Sequence, residues 1–68
     1  MKTVGIIGYG NMGSAFCRGL KEQGFGFRVT EKKKERVEAL RAATGQKPLA
    51  LKDLLDECDL ILLAVKPQ

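Results

Sequence analysis

The sequence predicts an α/β fold, a parallel sheet flanked by helices, and three observations carry that prediction. Two short runs, Thr3 to Ile7 and Leu60 to Val65, are almost wholly apolar, as strands buried on both faces are. Between them lie two segments of helical spacing, Asn11 to Gln23 and Lys33 to Ala43, separated by a strand-like alternation. A glycine, Gly24 and then Gly45, follows each helix where a left-handed closing residue belongs. Strands that alternate with helices are joined by crossovers, and crossovers of that kind connect parallel strands.

Taken in order, Thr3 to Ile7 is the first strand, and the helix Asn11 to Gln23 carries Met12, Phe16, Gly19, Leu20 and Gln23 on one stripe. Phe25 to Thr30 sets Phe25, Phe27 and Val29 against Gly26, Arg28 and Thr30, the pattern of a second strand. The second helix, Lys33 to Ala43, has Val37, Leu40 and Thr44 on its inner face. Gln46 to Leu49 is expected as a third strand. Pro48 cannot donate to a ladder and confines that strand to an edge. Leu51, Leu54, Leu55 and Cys58 mark one face of a short third helix, and Leu60 to Val65 is the fourth strand, ended by Lys66 and Pro67. Right-handed crossovers then give the strand order 3-2-1-4, which places the proline-bearing strand at the edge it needs.

Sixty-eight residues make one small domain, which buries only about 60% of the surface of its unfolded chain. The two cysteines, Cys17 and Cys58, form no CxxC pair and the chain has no histidine, so no zinc site is expected, and a reducing, cytoplasmic compartment is. The first apolar stretch is too short for a signal peptide, and Leu60 to Val65 falls far short of the roughly 20 residues that span a bilayer. A soluble chain with no membrane partner follows. The net charge is +4, and Arg28, Lys32, Lys33, Lys34, Arg36 and Arg41 fall within one stretch. No aromatic residue interleaves them, which argues against a nucleic-acid partner and leaves a solvated helix face or contact with a phosphate.

Gly8-Tyr9-Gly10-Asn11-Met12-Gly13 is a GxGxxG. In a chain with eight glycines the bare match means little, but here it leaves a buried strand and opens a helix, the context of a dinucleotide-binding loop. Gly8 permits the turn, Gly10 removes the β-carbon that would block a pyrophosphate, and Gly13 lets helix and strand approach. The amides of Asn11 and Met12 would meet the phosphates at the positive end of the helix dipole. The expected cofactor is therefore NAD or NADP. Residues 1–68 read as an NAD(P)-binding, Rossmann-type domain, more narrowly the first half of a Rossmann fold. The residue that meets the adenosine ribose should stand about 20 positions on, and Glu31 stands there. A carboxylate there favours NAD, whereas Lys32, Lys33 and Lys34 beside it favour the 2′-phosphate of NADP. The two signals oppose each other, and acceptance of both cofactors is expected.

The stretches Gly-Tyr-Gly-Asn-Met-Gly-Ser-Ala (Gly8 to Ala15) and Asp-Leu-Ile-Leu-Leu-Ala-Val-Lys-Pro-Gln (Asp59 to Gln68) resemble the N-terminal domain of pyrroline-5-carboxylate reductase. The resemblance implies hydride transfer from NADPH or NADH to pyrroline-5-carboxylate, giving proline. It implies that Gly8, Gly10, Asn11, Met12 and Gly13, with Tyr9 between them, bind pyrophosphate. Ala64, Val65, Lys66 and Pro67 would line the cofactor. Glu31-Lys32 departs from the Asn-Arg found in many relatives. The resemblance makes these residues the N-terminal part of a longer enzyme, inactive alone, and no catalytic residue can be named: Tyr9, Ser14 and Cys17 form no catalytic arrangement. Another Rossmann oxidoreductase, of the deazaflavin-dependent NADP reductase or β-hydroxyacid dehydrogenase type, and a non-catalytic nucleotide-sensing module stand as alternatives. With the last strand at an edge, self-association through Leu60 to Val65 is also expected.

Overall fold

β1 (Thr3–Ile7) takes the centre of a three-stranded parallel sheet, between β2 (Gly26–Thr30) and β3 (Leu60–Leu63), in a computed structural model that describes residues 3–64. Its position follows from its composition, since Val4 and Ile6 are apolar on a face that is covered. Val4 stands opposite Phe27 and Leu60, and Ile6 opposite Val29 and Leu62. Ile6 and Val29 are wholly buried, and with Val4, Phe27, Cys17 and Leu40 they make the core. Three helices complete the fold: α1 (Asn11–Glu22), α2 (Lys34–Thr44) and α3 (Leu51–Glu57). Gly24 and Gly45, with φ of 80° and 77°, stop α1 and α2 in the left-handed conformation that their positions predict.

The α/β class with a parallel sheet flanked by helices is thus the observed one, and several expected details differ. The first concerns Gln46 to Leu49, which does not form a strand, so the expected order 3-2-1-4 lacks its edge member, and the other three strands keep their expected places as β2-β1-β3 among the described residues. The segment still lies along the edge of β2. The Leu49 N–H donates to the Val29 carbonyl at 2.8 Å. Two residues back along β2, the Phe27 carbonyl accepts from the side-chain amide Nε2 of Gln46 at 3.0 Å instead of from a main-chain N–H. One backbone bond and one side-chain bond hold the segment where a ladder would otherwise run.

The second correction concerns the face of α1. Gly13 and Cys17 are buried and Leu20 packs on the core, whereas Met12 and Phe16 are exposed. Gly13 sets this rotation, because it alone can lie against the turn that leaves β1. In α2 the expected inner face holds, with Leu40 fully buried and Val37 and Thr44 partly so. In α3 only Leu54 is buried, while Leu51 and Leu55 are exposed. β3 lies at an edge with Leu60 and Leu63 exposed, so its apolar run is not covered on both faces. Val65, the last residue of the expected strand, lies outside the described residues. No helix among the described residues is long and apolar enough to cross a membrane.

Candidate functional site

Parallel strands end together, so Ile7, Thr30 and Leu63 bring three connections to one side of the sheet. The turn from β1 into α1 begins at Gly8, whose φ of 103° excludes most side chains. The Gly8 N–H donates to the Thr30 carbonyl at 2.9 Å, tying the turn to the end of β2. A β-carbon on Gly13 would run into the carbonyl oxygen of Gly8, and it would lie 3.5 Å from the β-carbon of Ala64. Ala64 is buried, and its N–H donates to the Ile7 carbonyl at 2.9 Å. Strand ends, turn and first helical turn therefore meet at Gly8, Gly13 and Ala64.

Gly10 is the N-cap of α1, and its carbonyl accepts the Ser14 N–H at 2.9 Å. The amides of Asn11 and Met12 precede the first intrahelical donor and have no partner within the helix. Both residues are exposed, and no side chain caps the helix. A β-carbon on Gly10 would approach side-chain atoms first. Its nearest neighbours would be the guanidinium of Arg36, with Cζ at 3.4 Å and both Nη atoms at 3.6 Å. Free amides, a helix dipole and a guanidinium thus face one open glycine, an arrangement that fits a phosphate.

Arg36 is the residue the sequence reading missed, counting it only as one charge of the basic stretch. A signal for it existed: it stands four positions before the buried Leu40, and so on the same stripe of α2. The rest of the stretch does not act as one patch. Lys32, Lys33 and Lys34 are exposed, and Arg28 pairs with Glu57 at 3.8 Å on the surface.

Glu31 lies at the end of β2 as expected, but its carboxylate turns to the glycine loop. Oε1 accepts the Tyr9 N–H at 2.6 Å, and Oε2 accepts the N–H groups of Lys32 and Lys33 at 2.9 and 3.0 Å. Burial opposes its charge, yet the three backbone donors and the nearby Arg36 outweigh burial and hold its pKa below the ordinary glutamate value. Burial pushes the Cys17 thiol up to about 11 and, helped by Cys17, raises the Tyr9 phenol. The Ser14 hydroxyl donates to the Asn11 carbonyl at 3.1 Å. Tyr9 and Cys17 thus stay protonated at neutral pH, and Ser14 is engaged with its own helix. Val65, Lys66 and Pro67 lie outside the described residues. Among the described residues no group of three or more acidic, cysteine or histidine side chains could hold a metal ion.

Residues 3–68 match the family described as NADP oxidoreductase, coenzyme F420-dependent. Similar curated proteins include glyoxylate reductases from three archaea. That of Thermococcus kodakarensis is 38% identical over 64 residues, that of Thermococcus gammatolerans 44% over 68, and that of Pyrococcus horikoshii 38% over 64. Each match covers 94% of this chain and 19% of the relative, so the chain spans about a fifth of the length of these proteins.

Proposed function

The chain belongs to the family described as NADP oxidoreductase, coenzyme F420-dependent, and from that premise we propose that it is the cofactor-binding portion of a longer NAD(P)H-dependent reductase. Its cofactor is NAD or NADP. The observation that carries the reading is the Gly10 face, bordered by the amides of α1, where the Arg36 guanidinium is the nearest neighbour of a β-carbon. In this reading Gly8, Tyr9, Gly10, Asn11, Met12 and Gly13 form the pyrophosphate cradle, and Arg36 supplies a counter-charge. Glu31, Lys32 and Lys33 stand at the ribose end, and Ala64, Val65, Lys66 and Pro67 line the cofactor beyond the last strand. The bound nicotinamide supplies the hydride. The residues of this chain bind and orient the cofactor, and the residues that hold the substrate lie elsewhere in the longer protein.

For the substrate we favour the ring imine of pyrroline-5-carboxylate, on the strength of Gly8 to Ala15 and Asp59 to Gln68. A second reading, another oxidoreductase of the same hydride chemistry, draws on the glyoxylate reductases among the relatives and on the deazaflavin in the family description. Oxidation of NADPH or NADH by the longer protein, followed with pyrroline-5-carboxylate, glyoxylate and coenzyme F420 in turn, tests both. Turnover of pyrroline-5-carboxylate alone supports the first reading, and turnover of either other compound in its place supports the second. A longer protein that binds the cofactor and reduces none of them overturns both.

A further inference from the structure

Glu31 spends its carboxylate on the protein itself. Gly8 and Tyr9 are neighbours in the turn, and their N–H groups reach the end of β2 at successive acceptors: the Thr30 carbonyl at 2.9 Å and Glu31 Oε1 at 2.6 Å. Tyr9 is 6% exposed and its bond to Glu31 is partly buried, so without the carboxylate its N–H would be a poorly hydrated donor. The second oxygen takes the N–H groups of Lys32 and Lys33 and fixes the approach to α2. That approach governs where Arg36 stands, two residues into α2, over Gly10. One side chain therefore holds both halves of the phosphate cradle, the amide turn and the guanidinium, in register.

We propose that Glu31 is a positioning residue, which sets the Tyr9 peptide and the start of α2 so that Gly10 and Arg36 face the phosphate, and not a ligand of the cofactor's ribose. Three N–H donors take three of the about four acceptor sites of the carboxylate, so accepting from both ribose hydroxyls would mean giving up a contact that shapes the turn. Loss of Glu31 then weakens NAD and NADP alike. The statement about the cofactor rests on the cofactor-site reading above, whereas the statement about the turn does not.

Two measurements on wild type, Glu31→Ala and Glu31→Gln separate these. Amide exchange by NMR without cofactor reads the turn. The Tyr9 amide is expected to exchange about tenfold faster or more in Glu31→Ala, the scale of a lost hydrogen bond to a charged group. Glu31→Gln, which keeps one acceptor oxygen, should recover part of the protection. Titration calorimetry with NAD and with NADP reads recognition. Both affinities should fall by about tenfold in Glu31→Ala, leaving their ratio within about twofold. A ratio that moves tenfold toward NADP while Tyr9 stays protected overturns the proposal and makes Glu31 a ribose ligand. Unchanged Tyr9 exchange in both variants overturns it as well. If wild type binds neither dinucleotide, the cofactor-site reading fails, and the exchange data still decide the positioning role.

Discussion

At the scale of single residues, the glycine turn does its work by what is missing from it. Gly10→Val would place branched carbons against the Arg36 guanidinium, on the face where a phosphate must stand, while leaving the backbone of α1 in place. Gly13→Val would drive the same bulk into the Gly8 carbonyl and lift α1 off β1. Gly10→Val is therefore expected to abolish dinucleotide binding with little loss of Tm, and Gly13→Val to lower both. Calorimetry paired with thermal unfolding checks this, and unchanged affinity in Gly10→Val would sink the cradle assignment. Glu31 carries a pH dependence of definite sign. Its folded pKa lies below its unfolded one, so its contribution to stability is complete above the ordinary glutamate range and is lost as pH falls through the folded value. The stability gap between wild type and Glu31→Gln, from denaturant titrations, should be widest at neutral pH and should close on acidification.

Among the elements, α3 shows how little a short helix can rely on itself. It has seven residues, too few to be helical alone in water, and it is held by Leu54, which is wholly buried. Leu55, on the same expected apolar face, is 54% exposed. Leu54→Ala should therefore cost about 2–5 kcal/mol, enough to unfold so small a domain, whereas Leu55→Ala should cost little. Urea titrations of the two variants give the comparison, and equal costs would show that the helix packs differently. The segment after α2 shows the opposite case, an element that almost formed. Gln46 uses its side chain to satisfy the Phe27 carbonyl, its N–H donates to the Thr44 hydroxyl at 3.1 Å, and Pro48 interrupts the run of donors. Only Leu49 makes the main-chain bond to β2 that a strand would repeat.

For the molecule as a whole, the two edges of the sheet differ. Among the described residues, the β2 edge is covered in part by Gln46 to Leu49, whereas β3 presents an edge with Leu60 and Leu63 more than half exposed. An uncovered apolar edge is a template for pairing, and a twofold axis is the usual symmetry of such pairing. This chain is expected to associate through β3 at high micromolar concentration, with two copies antiparallel in one continuous sheet. Sedimentation of wild type against Leu63→Lys, which removes an exposed side chain and spares the core, checks this. A monomeric wild type at that concentration would refute it.

What was legible in the sequence was what neighbouring residues decide among themselves. The β1 run, the glycines at Gly8, Gly10 and Gly13, the helix stops at Gly24 and Gly45, and the parallel α/β class all follow from local pattern, because backbone freedom and periodicity act over a few residues. The tertiary structure decided whatever depends on a partner distant in the chain. The collision awaiting any side chain at Gly13 turned α1 so that Cys17, not Phe16, met the core. The unpaired Phe27 carbonyl drew in a glutamine side chain in place of a ladder. The N–H of Tyr9 claimed the carboxylate of Glu31, 22 positions away, and the stripe of Leu40 carried Arg36 over Gly10. Each of these is a contact between surfaces that exist only after the strands have paired, and a pattern read along one chain holds no record of them.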